Sequence, residues 1–294
     1  MKTVRLTLAL VLSAAAVSAN SLVLSIHSVA AKDYKRERLP NGAYKRERYA
    51  IANGGWLDGS TRDNKLDEIP FADVAGILAE HLGRQNYFLA KDSKSADLLL
   101  VVHWGRTIAF DSISNTSAMN AASHAFREAL SDQGGPGAIA ASGEPTTPAL
   151  EQFESAMVTL QMFNKARDLV NERNALMLGY LSDINRRNGV QRWTGGGDAY
   201  DDLIRDIEES RYYITVTAYD FDDMVKRQKR TVRWVTRVSI RAPGNSFRTE
   251  FPVMLASASR YFGRDTGKLI RGDQAVVEIG DVEVVGISAE REKK

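Results

Sequence analysis

The sequence contains no cysteine. Disulfide cross-links and thiolate metal sites are therefore excluded. So is a lipid anchor of the bacterial type, which needs a cysteine directly after the export signal. Histidine is scarce, with only 4 in 294 residues, and no two of them have metal-ligand spacing. No serine sits in a nucleophile elbow. Beyond the N-terminus no apolar run approaches the ~20 residues of a membrane-spanning helix. An excess of one charge is also missing. The chain has 39 Lys and Arg against 37 Asp and Glu, and without Lys2 and Arg5 at the N-terminal tip the balance is 37 to 37. A nucleic-acid binder normally carries a basic excess, so no nucleic-acid partner is expected.

The most informative segment that is present lies at the start. A basic tip, Met1 to Arg5, precedes an apolar and small-residue run from Leu6 to Ala19. That is the layout of a secretory signal. Two cleavage sites satisfy the small-residue rule, after Ala19 and after Ala31. The later one is preferred because Lys32 opens a strongly charged segment. The chain is expected to be exported, periplasmic or secreted. An uncleaved membrane anchor is the alternative, and the 14 residues of Leu6 to Ala19 are short for it.

Residues 32–48 read as a charged hairpin or arm. The pentad Tyr34-Lys-Arg-Glu-Arg38 recurs as Tyr44-Lys-Arg-Glu-Arg48 around an Asn41-Gly42 turn signal. A two-residue turn would set Glu37 opposite Arg46 and Arg36 opposite Glu47. It would also set Lys35 against Arg48 and Arg38 against Lys45, which opposes pairing.

Residues 49–294 read as a single α/β (α+β) domain. Its mixed, partly antiparallel sheet packs with helices and carries a long, mainly helical insertion at about 112–190. Helices are expected near 69–84, 200–209 and 251–262, from 3.6-residue spacing. A buried strand is expected over 98–103 and alternating strands over 212–219 and 231–241. In the last of these, Val232, Trp234, Val238 and Ile240 face one way, and Arg233, Val235, Arg237 and Arg241 the other. An extended stretch is expected over 275–287.

Few residues offer chemistry. The stripe of Arg233, Arg237 and Arg241, facing Tyr213, is the best candidate surface for an anionic ligand. His103 ends the buried strand, where α/β sites tend to collect. Asp220, Asp222 and Asp223 cluster at a strand end and could hold a hard cation. Helix capping explains the same residues. Gly195-Gly196-Gly197-Asp198 reads as a linker with a cap, and Gly263 to Lys268 fails the phosphate-loop pattern.

Several segments in order resemble a family of exported bacterial proteins of unknown function. They are Tyr49-Ala-Ile-Ala-Asn-Gly-Gly, Asp97-Leu-Leu-Leu-Val-Val-His-Trp-Gly-Arg-Thr, Asn174-Ala-Leu-Met-Leu-Gly-Tyr, Trp234-Val-Thr-Arg-Val-Ser-Ile and Tyr261-Phe-Gly-Arg-Asp. More distantly, the region before Ala96-Asp97-Leu98 and the Trp234 strand are similar to α/β domains of unknown function in small envelope lipoproteins. The resemblance implies a compact α/β fold near the envelope and assigns no functional residue.

The expected function is that of a non-catalytic binding or envelope-associated component. Its partner would be an envelope protein or an anionic ligand, with no cofactor and no lipid anchor, and self-association through the long helix is a further possibility. The alternative is a secreted hydrolase or metal-dependent enzyme using His103 with Arg106, or the Asp220-Asp222-Asp223 cluster.

Overall fold

A computed structural model describes residues 24–57, 60–61, 69–110, 112–132, 148–187 and 197–272. Its strands are β1 (Ser25–Ala30), β2 (Glu47–Gly55), β3 (Ser60–Thr61), β4 (Tyr87–Leu89), β5 (Leu98–Thr107), β6 (Arg211–Asp220), β7 (Val232–Arg241) and β8 (Ile270–Arg271). Its helices are α1 (Phe71–Arg84), α2 (Ser112–Asp132), α3 (Pro148–Leu178), α4 (Leu181–Arg187), α5 (Gly197–Glu208), α6 (Phe221–Lys226) and α7 (Phe247–Ser259). The strands form one mixed sheet in the order β4-β2-β5-β6-β7-β1-β8, with β3 on the end of β5. Only β2 runs parallel to its neighbours β4 and β5; the other pairings are antiparallel. The expected α/β class and the helical insertion are both present.

The alternation of β5, β6 and β7 sends two sets of side chains to opposite faces. One face carries Leu98, Leu100, Val102, Ile214, Val216, Trp234 and Val238 against α1 and α7. Trp234 is fully buried there, its ring 5.5 Å from that of Phe262 and 6.0 Å from that of Tyr87. The other face meets the C-terminal end of α3 together with α4 and α5. Ala175, Met177, Leu178, Tyr180, Leu203 and Ile207 form a separate apolar cluster on that side. Burial on both faces explains why eight consecutive residues of β6, Arg211 to Ala218, are buried.

The first departure from expectation is β1. The later signal cleavage, after Ala31, would remove all of it. Yet β1 lies between β7 and β8 in the sheet, with Leu24 and Ile26 completely buried. Ile26 pairs with Val238 and His27 with Arg237. Ser28 Oγ lies 2.7 Å from Thr236 Oγ1 and donates to the Tyr261 carbonyl at 3.0 Å. Apolar, small-residue composition suits the end of a signal and a buried strand alike; the alternating Ser-Ile-His-Ser-Val is the strand's own mark.

The second departure is the arm. The bridge pairs Arg38 with Tyr44, one residue out of the expected register. The turn holds three residues, Pro40 to Gly42, with Gly42 at φ +81°, the geometry of a type I turn closed by a left-handed glycine. The shift puts Lys45 opposite Glu37, with Nζ to Oε2 at 2.8 Å, and separates Lys35 from Arg48 and Arg38 from Lys45. Arg36 does not face solvent. Its guanidinium lies between the rings of Tyr87 and Tyr44, at 3.9 and 4.2 Å, with its side chain only 2% exposed. The arm is latched onto the sheet end by cation–π contact.

The third departure is a β-bulge. Ala218 pairs with Trp234 and Tyr219 with Val232, so Arg233 is the extra residue. Val232 consequently shares a face with Tyr219, not with Trp234, and the expected arginine stripe is broken at its first member. The stretch expected over 275–287 and the Gly195-Gly196 linker lie outside the described residues.

Candidate functional site

Antiparallel register lines up four polar side chains in one row across the second face. His27 on β1 is opposite Arg237 on β7, Arg237 is opposite Thr215 on β6, and Thr215 is opposite His103 on β5. At ~4.8 Å between strands the row spans about 14 Å. Residues separated by two along each strand share its face, so the row has apolar and hydroxyl neighbours: Val235, Thr217, Tyr219 and, past the bulge, Val232.

Two glycines seat the two imidazoles. A Cβ on Gly54 would lie 2.3 Å from Cε1 of His103, and one on Gly179 would lie 2.7 Å from Nδ1 of His27. Gly179 also ends α3 at φ +82°, a conformation that disfavours any other residue. One position thus terminates the helix and receives the histidine ring.

The row is unusual in what it leaves unpaired. Thr215 is 4% exposed and its Oγ1 has no hydrogen-bond partner among the described residues. The same holds for Nδ1 of His27 and Nδ1 of His103. Buried polar atoms normally find partners. Arg237 is half-buried, and among the described residues it makes no ion pair or hydrogen bond. Burial alone pulls its pKa down. Burial also lowers the pKa of His27, with Arg237 adding to the effect and Asp183 and Asp265 opposing it. His103 is lowered by burial against the opposing backbone of Gly55 and Gly54. Both imidazoles are thereby held toward the neutral form, and His27 lies beside an arginine that has no counter-ion among the described residues.

The row opens into a groove of ≈ 710 Å³ between the sheet and α3. His103, Thr215 and Arg237 contribute to its floor, and Leu169, Leu176 and Met177 of α3 form the opposite wall. Glu172 and Arg173 bring charges of both signs to the rim. A cavity of the same volume lies among α3, α4 and α5, but at its margin Arg167 is paired with Glu208.

The other expected site residues go elsewhere. Arg233 binds Asp220 at 2.8 Å and Asp33 at 3.0 Å. Arg241, at the far end of β7, pairs with Glu209, Nη2 to Oε1 at 2.9 Å. Tyr213 is buried, its hydroxyl accepting from the Leu57 backbone N–H at 3.0 Å. It also packs on Gly105, where a Cβ would come within 2.6 Å of the hydroxyl. Of the proposed stripe, only Arg237 remains for a ligand.

The three aspartates do not converge on a metal. Asp220 caps α6 by accepting from the Asp223 N–H at 2.9 Å. Asp223 takes Arg227 at 2.7 Å and the Thr231 hydroxyl at 2.6 Å. Asp222 pairs with Lys226 at 2.7 Å. Among the described residues no group of three or more acidic or histidine side chains is placed to hold a metal ion. Nor do His103 and Arg106 form a catalytic pair. Three residues apart on a strand, they point to opposite faces, and Arg106 Nε donates to Ser210 Oγ at 2.5 Å. Asp220 lies opposite Leu98, five residues from His103 along β5, about 17 Å away.

Sequence reasoning found Arg237 and His103, and alternation alone put Thr215 on the face of the arginine stripe; His27 was missed. His27 was hidden by its assignment to the signal. No family model matches the chain and no curated protein is similar to it.

Proposed function

We propose that this chain is an exported, non-catalytic protein that binds an anionic small molecule in the groove between the second sheet face and α3. The observation that carries the reading is Arg237, a cation drawn into the groove with no counter-ion among the described residues and flanked by donors and acceptors that no described residue pairs. An uncompensated charge in a desolvated place costs stability, and a ligand anion would offset that cost. The concave, mainly apolar groove with a few convergent polar groups is of the kind that small molecules occupy.

Export rests on the N-terminal layout. Because β1 belongs to the sheet, cleavage after Ala19 is the site proposed, and the folded product keeps residues 24–30. No helix among the described residues is long and apolar enough to cross a membrane. The likeness to exported envelope proteins of unknown function agrees with this reading.

The test is thermal unfolding of the chain from Asn20 onward with acetate, sulfate, inorganic phosphate and dodecanoate, and with a quaternary ammonium as the cationic control. At least one anion should raise Tm in the wild type and not in Arg237→Gln. Failure of every anion to do so would refute the reading.

A further inference from the structure

Building on that reading, we infer that the ligand is an amphiphilic monocarboxylate, its head on Arg237 and its aliphatic tail along the wall of α3. The head follows from charge. Among the described residues Arg237 is the one cation of the floor, and at the rim Glu172 and Arg173 offset each other. A single fixed positive charge suits a monoanion. A phosphate monoester would bring a second negative charge that meets no second cation. The planar guanidinium fork matches a carboxylate through two parallel hydrogen bonds. Thr215 Oγ1 is unpartnered in the same row and can donate to a carboxylate oxygen.

The tail follows from what lies open. Leu169 and Leu176 line the groove yet stand 59% and 52% exposed. Val232, turned into the groove by the bulge, is 39% exposed. Met162, 70% exposed, precedes Leu169 by seven residues, as Leu169 precedes Leu176. Two full helical turns separate each pair, so the three lie along one side of α3. Glu172 and Arg173 occupy the turn between Leu169 and Leu176, so the open apolar part of the groove is the wall made by Leu169 and Leu176 facing Val232 and Val235, with Met177 beside them. These apolar side chains and Arg237 line one groove, and a concave, mostly apolar site with a single charged group is the kind that an amphiphilic anion fills.

Calorimetric titration of the chain from Asn20 onward tests the inference, using butanoate, octanoate and dodecanoate, with dodecanol, dodecyl phosphate and inorganic phosphate for comparison. Affinity should rise about three- to fourfold per added methylene until the wall is covered. Dodecanol should bind at least tenfold more weakly than dodecanoate. Arg237→Gln should lose at least tenfold for dodecanoate and leave dodecanol unchanged. Leu176→Asn, at an exposed position that the fold does not need, should weaken dodecanoate and spare butanoate. Chain-length independence, or dodecyl phosphate binding tenfold tighter than dodecanoate, would overturn the inference while leaving the anion site standing. A stable dimer that buries Leu169 and Leu176 would overturn it too. Absence of binding by any anion would remove both this inference and the function on which it rests.

Discussion

The two faces of the sheet are built to different standards. Under α1 and α7, Trp234, Phe262, Tyr87 and the aliphatic side chains of β5, β6 and β7 close an apolar layer. Under α3 the same strands and β1 present His27, Arg237, Thr215 and His103, three of them with buried atoms that no described residue pairs. The second face is the more open one: on β5 and β7 its positions Leu99, Val101, His103, Val235 and Arg237 are partly buried where the first face is fully buried. The first face supplies stability. The second holds Arg237, a cation with no counter-ion among the described residues, which a purely structural layer would have replaced or paired. A second contrast lies within β7. Arg233 and Arg241 are neutralised by Asp220, Asp33 and Glu209, whereas Arg237 between them is not.

The largest effect should come from β1, which serves both faces. A chain starting at Lys32 loses Ile26 and Ser28 from one face and Ser25 and His27 from the other, and leaves β8 without a partner. It should fail to fold, while a chain starting at Asn20 folds. Circular dichroism and urea titration distinguish them, and native-like cooperative unfolding of the shorter chain would refute the role given to β1. On the apolar face alone, Trp234→Ala should cost about 3–5 kcal/mol, read as a lower urea midpoint at unchanged slope.

Gly179→Ala comes next. It adds a Cβ against His27 at a left-handed position, and a loss of about 1–3 kcal/mol is expected. A loss under about 0.5 kcal/mol would mean that the His27 ring is loosely held. The pH profile is a further handle. His27, His81 and His103 all have lowered pKa values in the fold. The unfolded chain therefore takes up their protons first, near pH 6.5, so it binds more protons than the native state there. Their contribution is fully present above pH 6.5 and is lost as pH falls through the lowered native values. The urea midpoint should drop between about pH 7.5 and 5.5, and His27→Gln with His103→Gln should flatten that drop. The smallest change belongs to Arg241→Ala. Its pair with Glu209 is half exposed, worth about 0–1 kcal/mol, and the groove should bind its ligand as before.

Much of the layered architecture was legible because it rests on local periodicity. The helices over 71–84, 197–208 and 247–259 and the strands β5, β6 and β7 all lie within a few residues of their expected bounds. What was not legible depends on pairing across long separations. β1 meets β7 some 200 residues away, and its apolar, small-residue composition matches the tail of an export signal, so only its short alternation marked it as a strand. The bulge at Arg233 is set by how Tyr219 and Val232 meet, not by the composition of β7. The one-residue shift of the arm could have been inferred from its like-charge clashes, which the observed register relieves. The opposition of His103 and Arg106 followed from spacing alone, since an odd separation on a strand divides two residues between faces. The site itself is a register effect. Four residues from four strands become neighbours only when three pairings are fixed together.

The claim at the centre is that Arg237 serves a ligand and not the fold. The most direct measurement is the unfolding free energy of Arg237→Gln against wild type, each with and without dodecanoate. Removing an uncompensated cation should make the ligand-free protein more stable by about 0.5–2 kcal/mol, and the variant should gain nothing from the ligand that stabilises the wild type. A variant less stable than wild type, or one equally stabilised by dodecanoate, would contradict the account.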